Sequence, residues 1–323
     1  MFYIDQTSAA FQYAKLEHYT NLRYIIRKKL LGTLFKDKHP KGLEKRINKI
    51  SGIHSSISTF LLDEDNLKTV LIGTPDELSK IKLKFRTKKQ IKSIKLLLNY
   101  DAFIDTSKDG TFNFYHAYDH AKNMEIPTCV YCNRLYTNTI IPESGEYIAR
   151  ATLDHWFPKS SYPLLALSFY NLIPSCNVCN SSVKGSTKYT LKDIFHPYLK
   201  HKDSSKVMDF TISYDLEDHI NAQSKFVSKN KFTEESLSAM KLVDIYKVHT
   251  EEIRELIYLK KAYPESYLAS LQSLLKTAVS SEEVYRLAFG VYLEDEHLIK
   301  RPLSKLKKDI LFGLGILKPG SSS

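Results

Sequence analysis

The chain has 323 residues, 43% hydrophobic and 26% charged, the balance of a folded globular protein rather than a disordered one. No apolar run approaches the ~20 residues that span a bilayer, and the opening MFYIDQTSAAFQ lacks the basic and then apolar order of a secretory signal, so a cytoplasmic protein without a membrane partner is expected. Its 47 basic and 36 acidic residues give a net charge of +11, which favours a polyanionic partner such as nucleic acid.

Residues 1–120 read as a helical, basic N-terminal region. Tyr19–Leu34 carries Leu, Ile and Tyr at helical spacing with Arg23, Arg27, Lys28 and Lys29 among them, and residues 35–42 read as a loop. Thr74-Pro75-Asp76-Glu77 has the marks of a helix start: a capping threonine, proline at the first helical position and a glutamate three residues after the cap. Thr87-Lys88-Lys89-Gln90 repeats that pattern and opens a helix reaching about Asn99. Between these starts, Lys80, Lys82, Lys84 and Arg86 alternate with Ile81, Leu83 and Phe85, which also suits a strand with one basic face. The two caps favour helices. The stretch Lys80–Lys95 is either a phosphate-contacting surface or a solvated face beside a core.

Residues 121–200 hold all four cysteines. The polar turn Pro142–Glu146 lies between Thr137–Ile141 and Tyr147–Leu153, which reads as a hairpin. Residues 201–318 read as a mainly helical C-terminal region, with one possible strand at Met208–Tyr214, helical spacing from Thr233 onward and two last helices broken near Pro302. Residues 319–323 read as a disordered tail.

Cys129 and Cys132 are two residues apart, as are Cys176 and Cys179. In a reducing compartment, paired C-x-x-C knuckles point to a tetrahedral structural Zn²⁺. A redox pair needs only one knuckle and leaves the second unexplained; incidental buried thiols leave the spacing unexplained. A closed four-thiolate site has no open position for substrate.

Between and just after the knuckles come Asp154-His155, Asn171 and Asn180. The stretches "CVYC", "LDHWFPKS", "NLIPSCNVCN" and "SSVKG" together resemble the HNH endonuclease family with a four-cysteine zinc site, over about 60 residues. The resemblance implies an α+β protein: mainly helical, with a central ββα-metal HNH module stapled by zinc. It implies phosphodiester hydrolysis without fixing the substrate; DNA is expected, with RNA the alternative. His155 would activate water and Asn171 would orient the imidazole and its loop. Asp154 and Asn180 would bind the catalytic cation. Asparagine stands at 180 where many family members have histidine, which leaves an oxygen-only site suited to Mg²⁺ or Mn²⁺. Lys159 and Lys184 are candidate phosphate contacts in substrate binding. Trp156 either stacks on a base or packs on the hairpin. Similar HNH proteins serve anti-phage systems such as Septu beside an ATPase partner, and that partnership is an expectation from resemblance only. A non-catalytic zinc-dependent nucleic-acid-binding module is the rival reading.

Overall fold

The computed structural model describes residues 1–38, 47–200, 210–213, 223–227, 230–262, 270, 273 and 281–317. Backbone packing divides the chain into two units: Ile4–Ile126 with Thr137–Leu191, and Met1–Tyr3 with Pro127–Tyr136 and Lys192–Ser323.

In the first unit, helix α1 (Ala9–Leu31) begins well before the expected Tyr19, because the Ser8 hydroxyl caps it by accepting the Phe11 N–H. Helices α2 (Ser55–Leu62) and α3 (Glu64–Ile72) follow. Helices α4 (Pro75–Ile81) and α5 (Lys88–Leu98) start where the sequence places them. Thr74 with Glu77 and Thr87 with Gln90 each close a reciprocal capping box. The basic stretch is therefore helix, turn and helix, and the strand alternative falls away. Asn99 ends α5 at φ 39° and its side chain caps α6 (Tyr100–Ile104), a left-handed position that asparagine tolerates well. Helix α7 (Ala117–Met124) completes the set.

A two-stranded sheet follows. Strand β1 (Thr152–His155) pairs antiparallel with β2 (Leu172–Ser175), setting Asp154 opposite Ile173 and His155 opposite Leu172. The expected hairpin from 137 to 153 is present only as a bridge between Ile140 and Ala149 around a turn at Gly145. Ile140, Tyr147 and Ile148 are exposed, and a ladder without a buried face is not held together in water. The pairing partner of the Asp-His segment is instead Leu172–Ser175, which itself buries completely. The core of this unit joins Leu22, Ile25, Leu67, Leu97 and Phe103 from the helices with Leu153, Leu164, Leu167 and Leu172 from the strands and the loop between them.

In the second unit, β3 (Phe210–Ser213) pairs antiparallel with β4 (Gln223–Phe226). The expected strand at Met208–Tyr214 is found there, with 208, 209 and 214 outside the described residues. Helices α8 (Lys231–Ala239), α9 (Leu242–Tyr246), α10 (Thr250–Ala262), α11 (Ser281–Phe289) and α12 (Ser304–Gly313) follow. The expected break near Pro302 lies between the last two. The tail at 319–323 and residues 39–42 of the expected loop lie outside the described residues. The chain is thus a mainly helical α+β protein, and no helix among the described residues is long and apolar enough to cross a membrane.

Candidate functional site

The first cysteine pair sits on a tight turn. The Cys129 N–H donates to the Leu135 carbonyl, and the Asn133 N–H donates back to the Cys129 carbonyl at 2.8 Å. Asn133 is left-handed at φ 51°. Its buried amide donates to Thr128 Oγ1 at 3.1 Å and to the carbonyls of Leu298 and Arg301 at 3.2 and 3.1 Å, so the turn is tied to the segment that precedes α12. The second pair lies just beyond the end of β2, where the Asn180 N–H returns to the Cys176 carbonyl at 3.0 Å.

All four thiols are buried and none is in a disulfide. Their sulfurs lie within 4.8 Å of one another. A tetrahedral Zn²⁺ with bonds of about 2.3 Å holds sulfurs about 3.8 Å apart, which lies inside that bound. Four soft donors with no carboxylate among them suit zinc, and the four cysteines could hold such an ion.

Asp154 and His155 close strand β1. Asp154 is 1% exposed and His155 8%. The imidazole is held by its Nε2–H, which donates to the Ala166 carbonyl at 2.9 Å. This fixes the tautomer and leaves the lone pair on Nδ1. Burial pushes the His155 pKa down to about 3, against the opposing effect of that hydrogen bond, so the ring is neutral at ordinary pH. Tyr100, at the start of α6, packs edge-on against it with ring centroids 4.4 Å apart.

No hydrogen bond joins the Asn171 side chain to the imidazole. Asn171 lies in a 3-10 turn (Phe169–Asn171) just ahead of β2. Its side-chain oxygen accepts the Phe157 N–H at 2.7 Å, and its amide donates to the carbonyls of Phe157 and Leu165 at 3.1 and 2.9 Å. The expected imidazole-orienting role passes to Ala166, while the loop-holding role fits Asn171. Three successive carbonyls of one turn are thereby claimed by three side chains, one of them from the distant helix α1. Leu165 is taken by Asn171, Ala166 by His155, and Leu167 by His18 of α1 at 2.8 Å. The Leu165 carbonyl also accepts the Ser168 N–H at 3.2 Å; burial demands partners for the carbonyls that a short turn leaves over.

Lys184 departs from its expected place as a phosphate contact. It is fully buried, with Nζ 3.2 Å from Asp154 Oδ1 and 2.6 Å from the His155 carbonyl oxygen. A buried ammonium must pair, and it pairs inward with the Asp-His segment. Lys159 stays at the surface, 3.0 Å from Asp101 and with its ammonium 4.3 Å from the centre of the Tyr100 ring. Asn180 sits within a widened helical stretch (Val178–Lys184). Trp156 is fully buried against Phe157 and Tyr189, so it packs and does not stack on a ligand. His196 is buried and accepts the Tyr198 N–H at 3.2 Å.

A cleft of about 260 Å³ lies beside the strand pair, lined by Tyr100, Asp101, Lys108, Arg150, Lys159 and Asn180 among others. Sequence reasoning missed Tyr100, Arg150 and Ala166. Ala166 acts through its backbone and carries no side-chain signal. Arg150 offered a faint one, a cation four residues before Asp154.

Fold and site together define a class: a mainly helical α+β protein with four clustered thiols fit for a metal ion. No family model, curated protein or solved structure matches the chain.

Proposed function

We propose that the chain is a metal-dependent nuclease of HNH type that hydrolyses phosphodiester bonds of DNA, with RNA the alternative substrate. The observation that carries the reading is the neighbouring pair Asp154 and His155, with Nε2–H committed to Ala166 and Nδ1 therefore available as a proton acceptor. In this reading Asp154 and Asn180 hold Mg²⁺ or Mn²⁺ through oxygen atoms. The ion, when bound, supplies positive charge that acidifies a water and neutralises phosphate oxygens.

The chain's own residues do the rest. His155 takes the proton of the attacking water at Nδ1. Burial keeps the ring neutral near neutral pH, so Nδ1 carries a lone pair, while the same shift weakens it as a base. Tyr100 and Ala166 hold the ring plane. Lys184 holds the Asp154 carboxylate and the carbonyl of the next residue. The thiolate-bound zinc stabilises structure and takes no part in the chemistry. The net charge of +11 supports a nucleic-acid substrate; an ATPase partner and an anti-phage setting rest on the resemblance alone.

The test is plasmid nicking with Mg²⁺, Mn²⁺ or EDTA, comparing wild type with His155→Ala. Expected are loss of cleavage in EDTA and a fall of about a hundredfold or more in the variant. Equal cleavage by both proteins overturns the reading. Binding without cleavage in the wild type favours a zinc-dependent nucleic-acid-binding module instead.

A further inference from the structure

Arg150 is the cation whose surroundings the nuclease reading leaves unexplained. It is half-buried in the segment leading into β1. One terminal N–H donates to the Ala151 carbonyl at 2.8 Å, and the guanidinium carbon lies 5.2 Å from the centre of the Tyr118 ring. Its Nε is sealed from solvent and has no hydrogen-bond partner. No carboxylate pairs with it among the described residues. Asp101, which lines the same cleft, is taken by Lys159 at 3.0 Å, and Asp119 accepts the His116 N–H at 2.9 Å. An anion in the cleft can offset the cost of this half-buried charge through the terminal nitrogens, not through the sealed Nε.

The space next to it is suited to that anion. The cleft it lines with Asn180 also presents Lys108 and Lys159 against the one carboxylate of Asp101, three cations to one anion. Arginine's planar fork can grip two phosphate oxygens at once, which lysine cannot. We propose that Arg150 clamps a nucleic-acid phosphate next to the scissile one, and that the Tyr100–Lys108–Arg150 cleft carries the substrate strand past Asn180. The inference rests on the nuclease reading for the identity of its ligand. It gives a substrate-binding role to a residue that helix α6 and the segment leading into β1 bring to one wall.

The test measures binding apart from cleavage. A fluorescent single-stranded oligonucleotide of about 12 nucleotides is titrated in EDTA against wild type, Arg150→Ala and Arg150→Lys, with inorganic phosphate as competitor. Arg150→Ala is expected to weaken binding about tenfold and to reduce the salt slope by about 0.7. Arg150→Lys keeps the charge but not the fork, and is expected to lose about threefold; it serves as the readout if the alanine variant does not fold. Wild-type binding that free phosphate displaces at equal concentration identifies a free-anion site and overturns the assignment to a strand. Binding by folded Arg150→Ala within twofold of wild type overturns it, as does absence of oligonucleotide binding by the wild type. A protein that binds through Arg150 yet never cleaves defeats the nuclease reading and leaves the clamp standing. Cleavage indifferent to Arg150→Ala does the reverse.

Discussion

The ammonium of Lys184 lies 3.2 Å from Oδ1 of Asp154 and 2.6 Å from the carbonyl oxygen of His155, wholly out of solvent. One side chain thus restrains both residues to which the proposed chemistry is given. Lys184→Met removes the charge and leaves a buried carboxylate without it. The expected loss is about 3 kcal/mol in urea unfolding. Added Mn²⁺ is expected to raise the melting temperature of Lys184→Met more than that of wild type, since an ion held by Asp154 replaces the missing charge. Equal shifts would locate any bound ion elsewhere.

The four-cysteine cluster makes a separate prediction. Purified protein should carry about one zinc per chain, and Cys129→Ser or Cys176→Ser should each lose it. Zinc in such sites contributes on the order of 10 kcal/mol to folding, so either variant, or prolonged chelation, should lower the melting temperature sharply. Metal-free protein that melts with the wild-type profile would count against a bound ion.

Asn171 satisfies three backbone groups in a sealed loop. Asn171→Ala is expected to destabilise by about 3 kcal/mol. Asn171→Asp should cost more, because a carboxylate would face the carbonyls of Phe157 and Leu165 where the amide now donates. Denaturant titration of the two variants gives the order; an aspartate variant as stable as wild type would refute the pairing.

Acid sensitivity follows from His18. It is fully buried, donates from Nε2 to Leu167 and accepts at Nδ1 from the Tyr115 hydroxyl at 3.1 Å. Burial pushes its pKa down to about 4, against about 6.5 in an unfolded chain. Between those values the unfolded chain binds a proton that the folded one refuses. The stability is therefore full above about pH 6.5 and declines as the pH falls towards 4, by about 3 kcal/mol for this group. His120, sealed beside it and also pushed down, acts in the same sense. Urea midpoints measured from pH 7 to 4.5 should fall, and His18→Gln should flatten the decline by close to one proton. An unchanged slope in that variant would remove His18 from the account.

What could be read from the residues alone was local. The capping boxes at Thr74 and Thr87 depend on four neighbours, and both form as expected. Paired cysteines advertise their spacing. The strand pairing is hidden from the sequence because its partners are separated by a loop of sixteen residues, Trp156–Asn171, and the polar turn Pro142–Glu146 offers a closer but unsupported match. Lys184 was misjudged because lysine is an ordinary surface residue; only the approach of Asp154 and the His155 carbonyl, some thirty positions earlier in the chain, draws it inside. The carbonyl of Ala166 and the ring of Tyr100 could not be found from any motif, since each meets His155 only through tertiary packing.

The grip on His155 also reaches back to the earliest helix. His18 secures one carbonyl of the turn whose neighbouring carbonyl secures the imidazole, and Tyr100 closes the other side. The motif-bearing stretch is consequently not a cassette. Spliced into a foreign scaffold without Ala9–Ile104, it would keep its signature letters and forfeit the supports that give them a defined geometry.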